Sequence, residues 1–365
     1  VFLTALATAC GQAQPAASSA AAAASVSAAA SSAAAASAAA KPVASAAASA
    51  KPAGSAAAAA GGTPLGKVTV AVSSLAPTQL PSHLARQQGF FQQNGLDADV
   101  VQILGGASTD ALLAGQIQLM QGGKVPDADL GGADLVYIGA PTSTQWYWLI
   151  SQKTFNSAAE LKGKKVGVTG IGTASYSAAV QAVASANLTP SRDVTFIMLQ
   201  SQAQILPAVE SGAVDAGVVD MPAIFQARKD GMKELVDIAA LGQPFPQSWP
   251  AVSKKYAAAH HDIVVAYLKS LAQALAFEIR QPEQTQKILM DFTKTADPEI
   301  TRQTYEETAK YIQKDLQPSV QALKNYLDTL AQTNPAAKDK DPAQYMDDSY
   351  VKEIKASGFI DSLYK

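Results

Sequence analysis

Between residues 65 and 250 the chain alternates short apolar runs with amphipathic or alanine-rich stretches, and that alternation restricts it to one broad architecture. KVTVAVSS reads as a buried strand over 67–72 that ends in hydroxyls, and HLARQQGFFQQNGL continues as a helix closed by Gly95. ADVVQIL (98–104) is a second strand, GGASTDALLAGQI a glycine turn with a short helix, and LVYIGA (135–140) a strand again. The order then restarts with WYWLIS, a helical turn, KKVGVTG, a helix over 173–186 and the strand VTFIML. SQAQILPAVESGAVDAGVVDMPAIFQARKDG adds a further helix and strand. Strands separated by helices pair in parallel, because a parallel connection must cross the sheet and a helix covers the crossing. Two similar α/β units in series are expected. Beyond Trp249 the pattern turns helical, with HDIVVAYLKSLAQALAFEI its clearest amphipathic segment.

The first sixty or so residues are a different material. From Gln12 to Gly62 the chain is nearly all Ala and Ser, broken by Pro15, Pro42 and Pro52, with Lys41 and Lys51 its only charges. KPVASAAASA followed by KPAGSAAAAA forms a loose ten-residue repeat. Such a tract has little to bury and cannot offset its ordering entropy, while proline and serine weaken the helix that alanine favours. It reads as a flexible linker over 11–64, with an r.m.s. span of roughly 40 Å. Ahead of it, VFLTALATACG is a short apolar run, too short to span a bilayer. It reads as the tail of a secretory signal peptide whose charged start is missing. Ala7-Thr8-Ala9-Cys10-Gly11 resembles a bacterial lipobox, with Leu6 one place early. That resemblance makes Cys10 a candidate for lipidation and residues 1–10 a lipoprotein leader remnant.

Charge and cysteine content exclude several classes. The 365 residues carry 28 basic and 30 acidic side chains, a net charge of -2, so no strong field is offered to nucleic acid. Cys10 is the single cysteine, which rules out an intramolecular disulfide and a cysteine-built metal site. His83, His260 and His261 lack the spacing of metal ligands. No metal and no cofactor are expected.

KKVGVTGIGTASYSAAV (164–180) is a strand, a glycine bend and an alanine-rich helix, the pattern of an anion seat. Gly167 and Gly172 have the glycine spacing of a phosphate loop, but Thr173 and Ala174 stand where its Lys and Ser/Thr belong. The dinucleotide fingerprint fails as well, since Ser175 occupies the third glycine position. What remains is a bend with free backbone N–H groups, a helix start and the hydroxyls of Thr173 and Ser175. The plain alternative is a strand–helix turn with a Thr or Ser cap.

LARQQGFFQQNGLDADVVQI, LKGKKVGV, AVESGAVDA and the closing DDSYVKEIKASGF together resemble the substrate-binding proteins of nitrate/sulfonate/taurine-type ABC importers. The resemblance covers most of 67–365 and implies a bilobal periplasmic-binding-protein-like α/β fold of type II. It also implies a hinge of two strand crossovers and a helical C-terminal region. It divides the chain into lobe 1 (65–143), lobe 2 (144–240) and a return to lobe 1 with C-terminal helices (241–365). The function implied is capture of a small polar or anionic solute between the lobes and its delivery to a membrane permease driven by an ATPase. The protein is then extracytoplasmic, membrane-held through lipidated Cys10, monomeric and not an enzyme. One departure stands out: GQIQLM (115–120) has Gln118 and Met120 where relatives usually show Asp and Gly.

Open α/β sheets bind ligands beyond the carboxyl ends of their strands. Those ends supply Ser73, Ser74, Gly105, Gly106, Gly122, Gly123, Thr142, Gly170, Thr173, Ser175, Tyr176 and Asp220 as ligand-binding candidates. They are small and hydroxylic, and none of the five arginines falls among them. Lys124 is the one cation placed to join, or a solvated loop lysine. Trp146 and Trp148 either wall the ligand or pack in the core. Asp215 serves the turn before a strand, and Asp220 either holds a ligand amine or braces the hinge. A pyrimidine-making branch of the same family uses a sacrificial histidine with a cysteine cluster and iron, and this chain has no cysteine beyond Cys10. A thiamine-type pyrimidine-precursor binder or biosynthetic relative, and a solute-sensing lipoprotein without a transporter, are the alternatives. A Ser–His–Asp enzyme would have to recruit His83, and no nucleophile-elbow motif supports it.

Overall fold

The computed structural model describes residues 64–103, 106–152, 154–171, 173–199 and 201–365. Cys10, the Ala/Ser tract and Gly105 lie outside the described residues. Ten strands form two five-stranded sheets among them. The first holds β1 (Gly66–Val72), β2 (Leu96–Gln102), β3 (Leu119–Gln121) and β4 (Leu135–Tyr137). The second holds β5 (Trp148–Ser151), β6 (Lys165–Val168), β7 (Thr195–Met198), β8 (Ala216–Val219) and β9 (Lys233–Asp237). The tenth, β10 (Pro250–Ser253), returns to the first sheet.

The two sheets repeat one topology. The first runs β2-β1-β3-β10-β4 and the second β7-β6-β8-β5-β9. In each, a strand from across the hinge is inserted antiparallel beside the third strand of its sheet: β10 against β3 and β4, β5 against β8 and β9. The exchange is the two-crossover hinge in structural form. Two short strands in this scheme escape the sequence pattern. β9 goes unmarked, and β10 falls in the stretch read as helical beyond Trp249. Four residues opening on a proline are too few to show a period, and tertiary pairing alone makes them a strand.

Helices cover both faces of each sheet. In the first lobe these are α1 (Leu80–Gln87), α2 (Phe90–Gln93), α3 (Ala107–Leu113) and α4 (Val125–Leu130). In the second they are α5 (Ala174–Ser185), α6 (Gln202–Glu210) and α7 (Ala223–Lys229). After β10 come α8 (Lys254–Ala259), α9 (His261–Arg280), α10 (Pro282–Thr293), α11 (Pro298–Ala309) and α12 (Val320–Leu330). The chain closes with α13 (Ser349–Ala356) and α14 (Phe359–Ser362). The twenty residues of α9 carry the predicted amphipathic stripe, and Val264, Leu268, Leu271 and Leu275 pack it beneath α1 and α2.

Strand alternation assigns each side chain to a face. Val68 and Val70 of β1 join the core under α9, and Ala71 joins the opposite core with Met120, Tyr137 and Trp249. In the second lobe Val166, Val168 and Val218 face α5, whereas Ile150 and Val219 face α6 and α7.

Candidate functional site

The crossovers set which ends of the sheets the hinge joins. Pro250 opposes Gln121 at the carboxyl end of β3, and Trp148 opposes Val219 at the carboxyl end of β8. The hinge therefore joins the two sheets at the ends where their parallel strands finish. Its two segments are tied to each other: Phe245 N–H donates to Ser143 O (2.8 Å) and the Trp249 indole to Thr142 O (2.7 Å). Thr142 is consequently buried, with its carbonyl engaged in the hinge.

From the first lobe, β1 delivers Ser73 and Ser74, both partly buried. Gln79, in the 3-10 turn Pro77–Gln79 that leads into α1, folds back beneath them. Its Oε1 accepts from Ser73 N–H (2.6 Å) and Ser74 N–H (3.3 Å), and its Nε2 donates to Ser73 Oγ (2.8 Å) and Ser74 Oγ (3.0 Å). Gly122 lies against this cluster at φ +96°, and a Cβ there would fall 2.5 Å from Ser73 Oγ. Gly123 clears the Met120 side chain in the same way, with a Cβ falling 2.2 Å from its methyl. The departures at 118 and 120 are structural: Gln118 Oε1 accepts from Thr69 N–H (2.8 Å), and Met120 fills the core beneath Gly123. Lys124 follows, half-buried, and burial lowers its ammonium pKa while neighbouring Asp127 opposes the shift. No carboxylate lies within ion-pair distance of Lys124 among the described residues. Gly106 precedes α3 with open space around it.

In the second lobe Thr169, Thr173 and Ser175 form a hydroxyl network at the start of α5. Thr173 caps α5, its Oγ1 accepting from Tyr176 N–H (3.2 Å). Thr173 Oγ1 donates to Gly170 O (2.7 Å), and Thr169 Oγ1 donates to Thr173 Oγ1 (2.9 Å). Ser175, 1 % exposed, accepts from Thr169 N–H (2.9 Å) and sits 2.8 Å from Thr169 Oγ1. With the protons of Thr169 and Thr173 assigned, that of Ser175 turns back to Thr169 or Thr173. Thr173 and Ser175 thus hydrogen-bond within the strand–helix turn, the arrangement of the plain cap read from sequence as the alternative. Tyr176 packs edge-on against Phe196 (5.1 Å) within the lobe core.

Asp220 ends β8, partly buried, with no hydrogen bond or ion pair from another side chain among the described residues. Burial raises its carboxyl pKa to about 7, partly offset by its own backbone N–H. Tyr147, hydrogen-bonded to Gln247 of the second crossover, lies within electrostatic reach of it. Asp215, ahead of β8, accepts from Lys165 N–H at the start of β6 (2.8 Å), so it ties neighbouring strands where the sequence suggested a local turn. Trp146 and Trp148 are both buried among Ile205, Val219, Ile224 and Phe225, so both are core. His83 packs on the Phe292 ring (5.1 Å), and His261 pairs with exposed Glu353 (2.9 Å). Among the described residues no three metal-ligating side chains converge. A cavity of about 650 Å³ between α5, the second crossover and α12 shares no residue with the strand ends.

The strand ends thus carry Ser73, Ser74, Gly122, Gly123 and Lys124 in one lobe and Gly170 and Asp220 in the other. Gln79 and Thr169 escape sequence reasoning, because a buried glutamine in a turn carries no periodic signal. Two α/β lobes with exchanged antiparallel strands and a double crossover define the bilobal periplasmic-binding-protein-like fold of type II. The chain belongs to the NMT1/THI5-like family, whose model matches residues 76–285. It is similar in structure to the alkanesulfonate-binding protein SsuA of Xanthomonas axonopodis pv. citri bound to MOPS, with TM-score 0.66 and 23 % identity over 79 % of this chain and 100 % of that one. It is likewise similar to the periplasmic nitrate-binding protein NrtA of Synechocystis PCC 6803, with TM-score 0.62 and 14 % identity over 82 % and 91 % of the two chains. In sequence it is 21 % identical to 4-amino-5-hydroxymethyl-2-methylpyrimidine phosphate synthase of Schizosaccharomyces pombe, over 66 % of this chain and 73 % of the relative.

Proposed function

We propose that this chain is the extracytoplasmic solute-binding component of an ABC importer and takes a small solute with an oxyanion end and an N–H end. One observation carries the reading: the strand ends carry hydroxyls and a half-buried lysine in lobe 1 and an unpaired carboxyl, Asp220, in lobe 2. An oxygen-rich group meets donors on the first side, and an amine or ring N–H meets an acceptor on the second. The binding proteins among the structural neighbours support solute capture, and lipidation of Cys10 supplies the membrane anchor in this reading.

Similarity to the pyrimidine phosphate synthase favours a second reading, an aminopyrimidine ligand whose exocyclic amine meets Asp220. A thermal-shift panel at pH 8 separates the two, because a ligand that binds only the native state raises its melting temperature. The panel contains 2-aminoethanesulfonate, methanesulfonate, nitrate and a 4-aminopyrimidine. The aminosulfonate is expected to give the largest shift, and Asp220→Asn to abolish its advantage over methanesulfonate. A shift from the aminopyrimidine alone favours the second reading, and a panel without any shift overturns both.

A further inference from the structure

Gln79 uses the full hydrogen-bonding capacity of a carboxamide in one place: two N–H groups into its oxygen and both amide protons onto serine hydroxyls. The backbone N–H groups of Ser73 and Ser74 can only donate, so Oε1 must face them, and a flipped amide would set donor against donor. Nε2 then necessarily faces the hydroxyls, and Ser73 Oγ and Ser74 Oγ can only accept from it. Ser74 Oγ accepts a second time, from Ala76 N–H (3.3 Å). Neither hydroxyl proton has an acceptor among the described residues. Gln79 is 3 % exposed, so water does not compete for its amide. The Gly122 backbone, which has no room for a Cβ beside Ser73 Oγ and Gln79 Nε2, packs the cluster from the other side.

We infer that Gln79 is a positioning residue that fixes Ser73 and Ser74 as a pair of O–H donors toward the cleft and so selects for an acceptor group on the solute. The inference rests on the solute-binding reading above and adds the residue that sets which end of the solute lobe 1 accepts. A free serine hydroxyl serves donors and acceptors alike by rotating. With both lone pairs of Ser74 held by Gln79 and Ala76 N–H and one of Ser73 held by Gln79, Ser74 is left only to donate, and a ligand acceptor gains more from the pair than an amine does.

Gln79→Glu is the discriminating substitution, because it keeps the shape and the acceptor for both N–H groups but removes both amide protons. The serine protons then turn inward onto the carboxylate, and lone pairs face the cleft. Calorimetric titration with 2-aminoethanesulfonate at pH 8 is expected to show affinity lower by about ten-fold or more. The double substitution Ser73→Ala with Ser74→Ala is expected to cost roughly ten-fold in the parent and less than about two-fold in the Gln79→Glu background. If Gln79→Glu fails to fold, Gln79→Met supplies the same cycle without a charge, and the serine cost is expected to fall to at most about three-fold. Equal serine costs in both backgrounds overturn the role of Gln79 while leaving the solute reading intact. A parent protein that binds no oxyanion overturns both.

Discussion

Asp220 and Glu278 are carboxyls that burial raises, to about 7 and about 8, and their sign is opposite to that of an ion-paired acid. The folded state holds a proton on each that the unfolded chain has released above about pH 4. Their contribution is therefore most favourable at low pH and is lost as pH rises through 7 and 8. Asp193, whose carboxyl the Arg192 guanidinium lowers to about 2, works in the other direction only at stronger acidity. In the ligand-free protein, unfolding free energy from urea titrations is expected to fall between pH 5 and pH 8. Asp220→Asn should flatten that slope by roughly 2–4 kcal/mol. An unchanged slope would mean that water reaches the carboxyl. The hydroxyls of Ser73, Ser74, Thr173 and Ser175 were legible as a group at strand ends. Which of them present a proton was not, since that depends on Gln79 and Thr169.

Among the elements, β8 shows how tightly helix and sheet are fitted. A Cβ at Gly217 would stand 2.5 Å from Ile205 Cγ2 and 2.9 Å from Val209 Cγ2, both on α6. Branched side chains in a close-packed layer have no slack, so Gly217→Ala pushes α6 off the sheet. The expected cost is about 1–3 kcal/mol in chemical denaturation. A neutral result would show that α6 shifts freely. The long, strongly periodic elements were readable: the valine alternation of β1, the capped helix α5, the stripe of α9. The inserted strand β10 was not, because it spans four residues and owes its conformation to partners distant in sequence.

For the whole molecule, the double crossover joins the two lobes through two chain segments. Ser248 Oγ of the second crossover donates to Thr78 Oγ1 (2.8 Å), one residue before Gln79, so the hinge and the lobe 1 site share a contact. The proposed anchor is tested on the same scale. With a full upstream leader, the parent is expected to partition with membranes and Cys10→Ser to be released into the soluble fraction. Limited proteolysis should cut the Ala/Ser tract first and leave the body from about Leu65 intact. Equal membrane association of the two proteins would remove Cys10 from the account.

The sequence alone determined that an Ala/Ser tract precedes two successive α/β units, and that small hydroxylic residues cluster where their strands end. Those features are local: composition sets what a segment can bury, and side-chain period sets which element it forms. Tertiary structure alone decided that β5 and β10 insert as antiparallel strands, that Trp146, Trp148 and Tyr176 are core, and that Gln79 lies beneath Ser73 and Ser74. Strand partners, burial and the direction of a hydroxyl proton all depend on groups brought together from separate parts of the chain. A local pattern carries no record of which groups those are.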